Sequence, residues 1–197
     1  MMKVEPVTLR GRVARLEPLR LEHANELYEA SRDPAIWTYM PARQPQSPGE
    51  MEQLIASALQ GQKDGACLPF AIMSLEEDRT VGWTRYLTIM QQDRGIEIGW
   101  TWLATSVQRT GINTECKYLL LRHAFEELGA IRVQLKTHHF NIRSQRAIER
   151  LGAVKEGVLR NHMIMPDGSY RHSVYYSIIE SEWPSVKANL ESMMQRY

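Results

Sequence analysis

The residues best equipped for chemistry lie in one stretch, Trp102-Leu103-Ala104-Thr105-Ser106-Val107-Gln108-Arg109-Thr110-Gly111-Ile112-Asn113-Thr114. It joins a strand-like run, GIEIGWTWLA, to the start of a long amphipathic run, TECKYLLLRHAFEELG. Backbone N–H groups in the first turn of a helix have no carbonyl behind them, and the helix dipole adds partial positive charge. Gly111 admits close approach to the backbone, while Arg109 and Thr114 add side-chain donors. Such a site cradles a phosphate or pyrophosphate. The same residues would also make an ordinary helix cap, and position alone does not separate the two. The stretch is neither a Walker-type phosphate loop nor a GxGxxG turn.

Glu97 is the only carboxylate in GIEIGWTWL, just ahead of the cradle. A carboxylate between apolar neighbours on a strand is costly unless hydrated or paired, so it belongs in a cleft or on an exposed pleat. In a cleft it would be placed to take up or release a proton. Further on, Asn141-Ile142-Arg143-Ser144 opens a short helix that stops at Gly152. Asn141 and Ser144 both suit a helix cap. Arg143, Arg146 and Arg150 give this helix a basic face, either solvated or turned to a phosphate.

Other groupings are poorer. His138 and His139 are adjacent on a strand-like run, so alternation points them to opposite faces. His162 and His172 face each other across a hairpin, yet two ligands do not make a metal site, and no metal is expected. No G-x-S-x-G elbow is present. Trp37 and Tyr39 stand in a proline-rich loop, DPAIWTYMPARQPQSPGE, and are expected at the mouth of a substrate site.

These residues need elements to hold them. VTLRGRVARLEPL alternates as one strand, and LEHANELYEASRD has helical spacing. Ser47-Pro48 with Glu50 starts a second helix, MEQLIASALQGQ. PFAIMSLEEDRTVGWTRYLTIM reads as a hairpin turning at EEDR, and GIEIGWTWLA as a central strand. The TECKYLLLRHAFEELG helix stops at Gly129. IRVQLKTHH is a strand, and VLRNHMIM and SYRHSVYYSII flank a Pro166-Asp167-Gly168 turn. A tail helix, EWPSVKANLESMMQRY, closes the chain. The fold class is therefore α/β: one domain over residues 1–197, with a mixed, mostly antiparallel sheet. A strand–helix–strand passage from residue 95 to 137 implies one parallel pair, and such a pair leaves a ligand crevice where it parts.

Composition limits the function. The chain has 197 residues, 43% hydrophobic and 24% charged, with 24 Lys+Arg against 23 Asp+Glu and a net charge of +1. A near-neutral balance gives no general field for nucleic acid or anionic membranes. No apolar stretch is long enough to span a bilayer, and the start has no secretory h-region; the expected location is cytoplasmic. Two cysteines, Cys67 and Cys116, make no disulfide framework.

Gln108-x-x-Gly111-x-Asn113 resembles the pyrophosphate motif Q/R-x-x-G-x-G/A of the GNAT superfamily of acetyl-CoA-dependent N-acetyltransferases. Asn141-Ile142-Arg143-Ser144 with Arg150-Leu151-Gly152-Ala153 is similar to that family's later N-x-x-S/A and K-L-G-F segment, in order and spacing. The opening Thr8-Leu9-x-Gly11-x-Val13-x-x-Leu16-x-Pro18-Leu19 is similar to the T-L-x-G-x-x-V-x-L-x-P-L opening of the branch of ribosomal-protein-alanine N-acetyltransferases. The resemblance implies helices on both faces of the sheet and a splayed parallel strand pair. It implies acetyl-CoA as cosubstrate and a primary amine as acceptor, on a protein N-terminus or a small molecule. Cofactor contacts fall on the backbone of Thr101, Trp102 and Leu103, on Gln108, Arg109, Thr110, Gly111, Ile112, Asn113 and Thr114, and on Asn141, Ser144 and Arg146. Glu97 becomes the base, directly or through water, Leu103 N–H the oxyanion donor, and Ser144 the donor to the thioester sulfur. Two departures stand out. Asn113 replaces the usual Gly or Ala, and Ile148 occupies the position where many members carry a tyrosine acid. The alternative is an acyl-CoA-binding sensor without transfer activity. A homodimer, if formed, is expected through the late strands.

Overall fold

The alternating segments assemble into one sheet in a computed structural model of the chain, which describes residues 2–197. Its strands are β1 (Leu9–Arg10), β2 (Ala14–Pro18), β3 (Cys67–Ser74), β4 (Arg79–Met90), β5 (Gly95–Leu103), β6 (Arg132–His138), β7 (Val154–Ile164) and β8 (Tyr170–Ile179). They lie in the order β1-β2-β3-β4-β5-β6-β8-β7. Every neighbouring pair is antiparallel except β5–β6. The helices are α1 (Ala24–Ala30), α2 (Pro48–Lys63), α3 (Ile112–Arg122), α4 (Ile142–Leu151) and α5 (Trp183–Met194). A π-helical turn, His123–Glu127, extends α3. This is the α/β fold with one parallel pair that the sequence predicts.

Local chemistry sets most boundaries. Ser47 accepts from the Glu50 N–H at 3.2 Å, and Pro48 occupies the first turn of α2, where its missing N–H costs nothing. Gly152 ends α4 at φ +103°, a left-handed cap that favours glycine. Asp167 accepts from Ser169 N–H at 2.9 Å in the β7–β8 turn.

The opening segment departs from the single strand its alternation suggests. It breaks at Arg12–Val13 into β1 and β2, because the Glu115 carboxylate of α3 accepts three successive N–H groups there. Arg12, Val13 and Ala14 donate at 2.7, 2.8 and 2.7 Å. A side chain about a hundred residues away thus supplies acceptors that a straight ladder would have taken from a strand.

Tyr86 donates its hydroxyl to the Leu120 carbonyl at 2.6 Å, which turns that face of β4 toward α3. Trp83 and Arg85, of opposite parity, face the side where α1 packs on β4 and α2 on β3. Phe70, Ile72, Leu119, Leu120 and Tyr176 are fully buried or nearly so. Truncating one of them to Ala removes roughly 2–5 kcal/mol. Both cysteines are free and buried.

Candidate active site

The site begins where two strands part. β5 and β6 pair only at Gly95–Arg132, Ile96–Val133 and Glu97–Gln134. β5 then continues to Leu103 and β6 to His138 without pairing. On its other side β5 stays joined to β4 but has one extra residue opposite the Trp83–Arg85 segment. That bulge holds Trp100 at φ +52°, a conformation bulky residues rarely adopt. Beyond it, Ala104 N–H donates to the Val81 carbonyl at 2.7 Å. Antiparallel alternation therefore turns the Leu103 N–H and C=O away from β4, toward the edge that β6 has left. The Leu103 carbonyl already has a partner there, the Gln108 side-chain amide at 3.0 Å.

Gln108 begins the predicted cradle and ties it together. Its side-chain oxygen accepts from Arg143 of α4 at 2.9 Å, so one amide links β5, the loop and α4 across the opening. Arg109 takes φ +65° with its side chain exposed. Thr110 donates to the Val107 carbonyl at 2.7 Å and accepts from the N–H of Ile112, the first residue of α3, at 3.3 Å. The next N–H groups, of Asn113 and Thr114, lie in the first helical turn facing the loop.

Two of the cradle's expected roles change. The Thr114 side chain is buried, with its hydroxyl oxygen accepting from Arg150 at 3.2 Å, so burial keeps it from serving as an exposed donor to a ligand. Gly111 is needed for space on the far side. Its φ is −66°, and a Cβ there would stand 3.1 Å from the Tyr197 ring. Ile112 is a core residue, and Asn113 is half-buried.

Glu97 is found only 1% exposed, not in the hydrated cleft its sequence context suggests. It is paired. Gln134 donates to Oε2 at 2.8 Å and Lys136 to the same oxygen at 3.2 Å, with Thr88 more distant at 3.4 Å. Lys136 Nζ also stands 3.1 Å from Oε1, a charge contact outside hydrogen-bond geometry, so Oε1 keeps a lone pair unmatched. The alternation of IRVQLKTHH puts Gln134 and Lys136 on one face, and the parallel register brings that face to Glu97. Both were missed because register is a tertiary property.

On α4, Asn141 caps the helix by accepting from Ser144 N–H at 3.0 Å. The half-buried Ser144 hydroxyl is thereby spared the capping role. Arg146 is exposed. Ile148 is buried in the core, so no acid acts from that position.

Trp37 is not at an open mouth. It is 7% exposed, donates its indole N–H to the Ser31 carbonyl at 2.9 Å and packs 5.8 Å from Trp102. Trp102 is likewise core. Tyr39 is half-buried with its ring 5.1 Å from His138. The rings of His138 and His139 stack at 4.5 Å instead of diverging, because β6 ends at His138 and the pleat ends with it. Burial, then the neighbouring His139, Arg171 and His172, press the His138 pKa down to about 4.

One buried cation was also missed. Lys117 of α3 donates to the Thr101 hydroxyl at 2.7 Å, and that hydroxyl meets Thr84 at 2.8 Å. Burial lowers the Lys117 pKa to about 8. A lysine on the packed face of TECKYLLL breaks the apolar pattern, and that break was the available signal. Among the described residues, no helix is long and apolar enough to cross a membrane, and no three His, Cys, Asp or Glu side chains converge as metal ligands.

Residues 14–154 match the acetyltransferase (GNAT) domain. YdaF of Bacillus subtilis, whose name marks it as a candidate ribosomal N-acetyltransferase, is 35% identical over 97 residues. That match covers 49% of this chain and 52% of YdaF, so the chain spans about half the length of that relative. The solved structure of a GCN5-related N-acetyltransferase from Brucella melitensis has a TM-score of 0.92 at 30% identity, over 98% of this chain and 87% of that one. RimJ from Mycobacterium smegmatis, solved with CoA-disulfide, shares the fold at a TM-score of 0.80 and 21% identity, over 95% of each chain. With the parted strands, the loop at the start of α3 and the order of elements in place, the domain match makes this chain a member of the GNAT acetyltransferase family.

Proposed function

We propose that this acetyltransferase carries acetyl from acetyl-CoA directly to a primary amine, in a ternary complex with no covalent enzyme intermediate. The observation that carries the reading is the opening between β5 and β6, with the Leu103 N–H on its free edge and the first turn of α3 beside it. The pyrophosphate lies against the N–H groups of the Gln108–Thr114 loop and the start of α3, with Asn141 and Arg146 on the α4 side. The pantetheine arm runs along the backbone of Thr101, Trp102 and Leu103 as an added strand.

In the reaction the amine nitrogen forms the new C–N bond, the C–S bond breaks and CoA leaves. Glu97 takes the amine proton through a water, on the lone pair that Oε1 keeps. Leu103 N–H donates to the developing oxyanion, and Ser144 to the sulfur. A thiol of pKa about 8.5 is a tolerable leaving group, so the Ser144 contribution is modest. Tyr39 borders the acceptor side; Trp37 does not. The likeness to YdaF supports a protein N-terminal amine as acceptor, beside small-molecule amines.

The test is thermal unfolding with and without acetyl-CoA, followed by CoA release with a panel of amines. A ligand at a hundred times its dissociation constant adds about 2.7 kcal/mol of stability. Glu97→Gln should keep that stabilisation and lose roughly a hundredfold in kcat. No stabilisation at millimolar acetyl-CoA would overturn the donor assignment. Stabilisation without release on any amine would instead favour an acyl-CoA sensor, a reading in keeping with the buried Ile148.

A further inference from the structure

Beside Glu97, on the same face of the sheet, lies a cation with no anion. Arg85 of β4 is 9% exposed, and its guanidinium sits in the corner between Trp83 and Trp100, 4.6 and 4.3 Å from the two rings. Its Nε has no hydrogen-bond partner. Burial outweighs the favourable influence of the nearby Cys67 thiol and lowers the arginine pKa to about 10. A buried cation left without a carboxylate is expensive, and two rings recover only part of that cost.

The surroundings share the deficit. The indole N–H groups of Trp83 and Trp102 are buried and unpartnered, and so is Glu97 Oε1. These four atoms, three donors and one acceptor, belong to adjacent residues on one face of β4 and β5. Trp83 and Trp102 pack 5.9 Å apart. Arg85 pairs across the ladder with Gly99, and Glu97 Oε1 lies 3.1 Å from where a Cβ on Gly99 would stand. Yet the two charges do not neutralise each other. Glu97 is turned to Lys136 on β6, and Arg85 to its tryptophans. The strained φ of Trp100 holds its ring against the guanidinium, and strain of this kind collects at ligand sites.

We infer that Arg85 is the specificity anchor of the acceptor site, binding a carboxylate carried by the same molecule whose amine is acetylated at Glu97. This rests on the acetyl-transfer reading above and adds the acceptor's chemistry to it. A planar guanidinium offers paired N–H donors that match a carboxylate, and one positive charge balances one carboxylate better than a phosphate dianion. The carboxylate belongs either to a free amino acid or to an acidic residue near a peptide N-terminus.

Two matched pairs of acceptors test this by CoA release: an amino carboxylate against its amide, and two peptides differing only in Asp or Asn after the N-terminal residue. The wild-type protein should prefer the carboxylate member of one pair by about ten- to a hundredfold in kcat/KM, and the pair that responds identifies the source. In Arg85→Gln that preference should fall toward one, whatever the absolute rate. Arg85→Lys should retain part of it, because charge remains while the fork is lost. Equal use of both members of each pair by the wild type, or a preference that survives in Arg85→Gln, overturns the anchor. If Arg85→Gln fails to fold, the wild-type ratio and Arg85→Lys still decide. Release on no amine at all would instead sink the acetyl-transfer reading, and this one with it.

Discussion

Lys117 stands where an apolar side chain would pack with less penalty, which makes it the residue whose cost is easiest to measure. Its pKa falls from the ordinary 10.5 to about 8, chiefly by burial. Below pH 8 the folded and unfolded chains both hold the proton, so the penalty is constant. Between about 8 and 10.5 the unfolded chain holds it while the folded chain sheds it, and stability rises with pH. Lys117→Met should stabilise the fold at pH 7 by about 1–3 kcal/mol and flatten that rise, read from denaturation midpoints across the pH range. A lower midpoint at pH 7 would mean that the bond to Thr101 outweighs desolvation. His138 has the opposite window. Its pKa of about 4 in the fold, against 6.5 when exposed, means that stability is complete above pH 6.5 and lost as pH falls toward 4. His138→Gln should weaken that acid-side loss. On the proposed acetyl-transfer reading, Ser144→Ala should lower kcat by less than about tenfold and leave acetyl-CoA binding intact, since the thiolate leaves tolerably unaided. A loss as large as that of Glu97→Gln would make the serine hydroxyl the principal acid.

The helices and turns were legible because their signals are local: Ser47-Pro48, Gly152 and Pro166-Asp167-Gly168 act through their own backbone and near neighbours. Asn141 is of this kind, and Asn141→Ala should cost about 1 kcal/mol through its lost bond to Ser144 N–H. The break between β1 and β2 was not legible, since its cause is Glu115, far along the chain. Three N–H groups depend on that carboxylate. Glu115→Ala should therefore destabilise by about 3 kcal/mol or more, with hydrogen exchange accelerating first at Arg12, Val13 and Ala14. Slow exchange there in the variant would show that another acceptor replaces the carboxylate. The expectation for Trp37 failed for a related reason. Proline content marks Trp37 as a loop residue, but a loop folded back on Trp102 buries its ring.

For the molecule as a whole, the parted strands, α3 and α4 are tied across the opening chiefly by polar contacts: Gln108 with Leu103 and Arg143, and Arg150 with Thr114. A ligand seated between them should tighten the pair together. Saturating acetyl-CoA is expected to slow hydrogen exchange in residues 108–114 and 141–146 and to leave β1–β3 unchanged. Uniform slowing throughout would point to global stabilisation alone. By itself the sequence determined the element order, the single parallel crossover and the loop that meets the start of α3. Each follows from periodicity, capping and short spacing, which act within a few residues. Only the tertiary structure decided which partners meet. It gave Glu97 to Lys136 and Gln134, Thr114 to Arg150, Gly111 to Tyr197, and left Arg85 among tryptophans without an anion. These outcomes depend on strand register and on which faces pack together, and no local pattern encodes either.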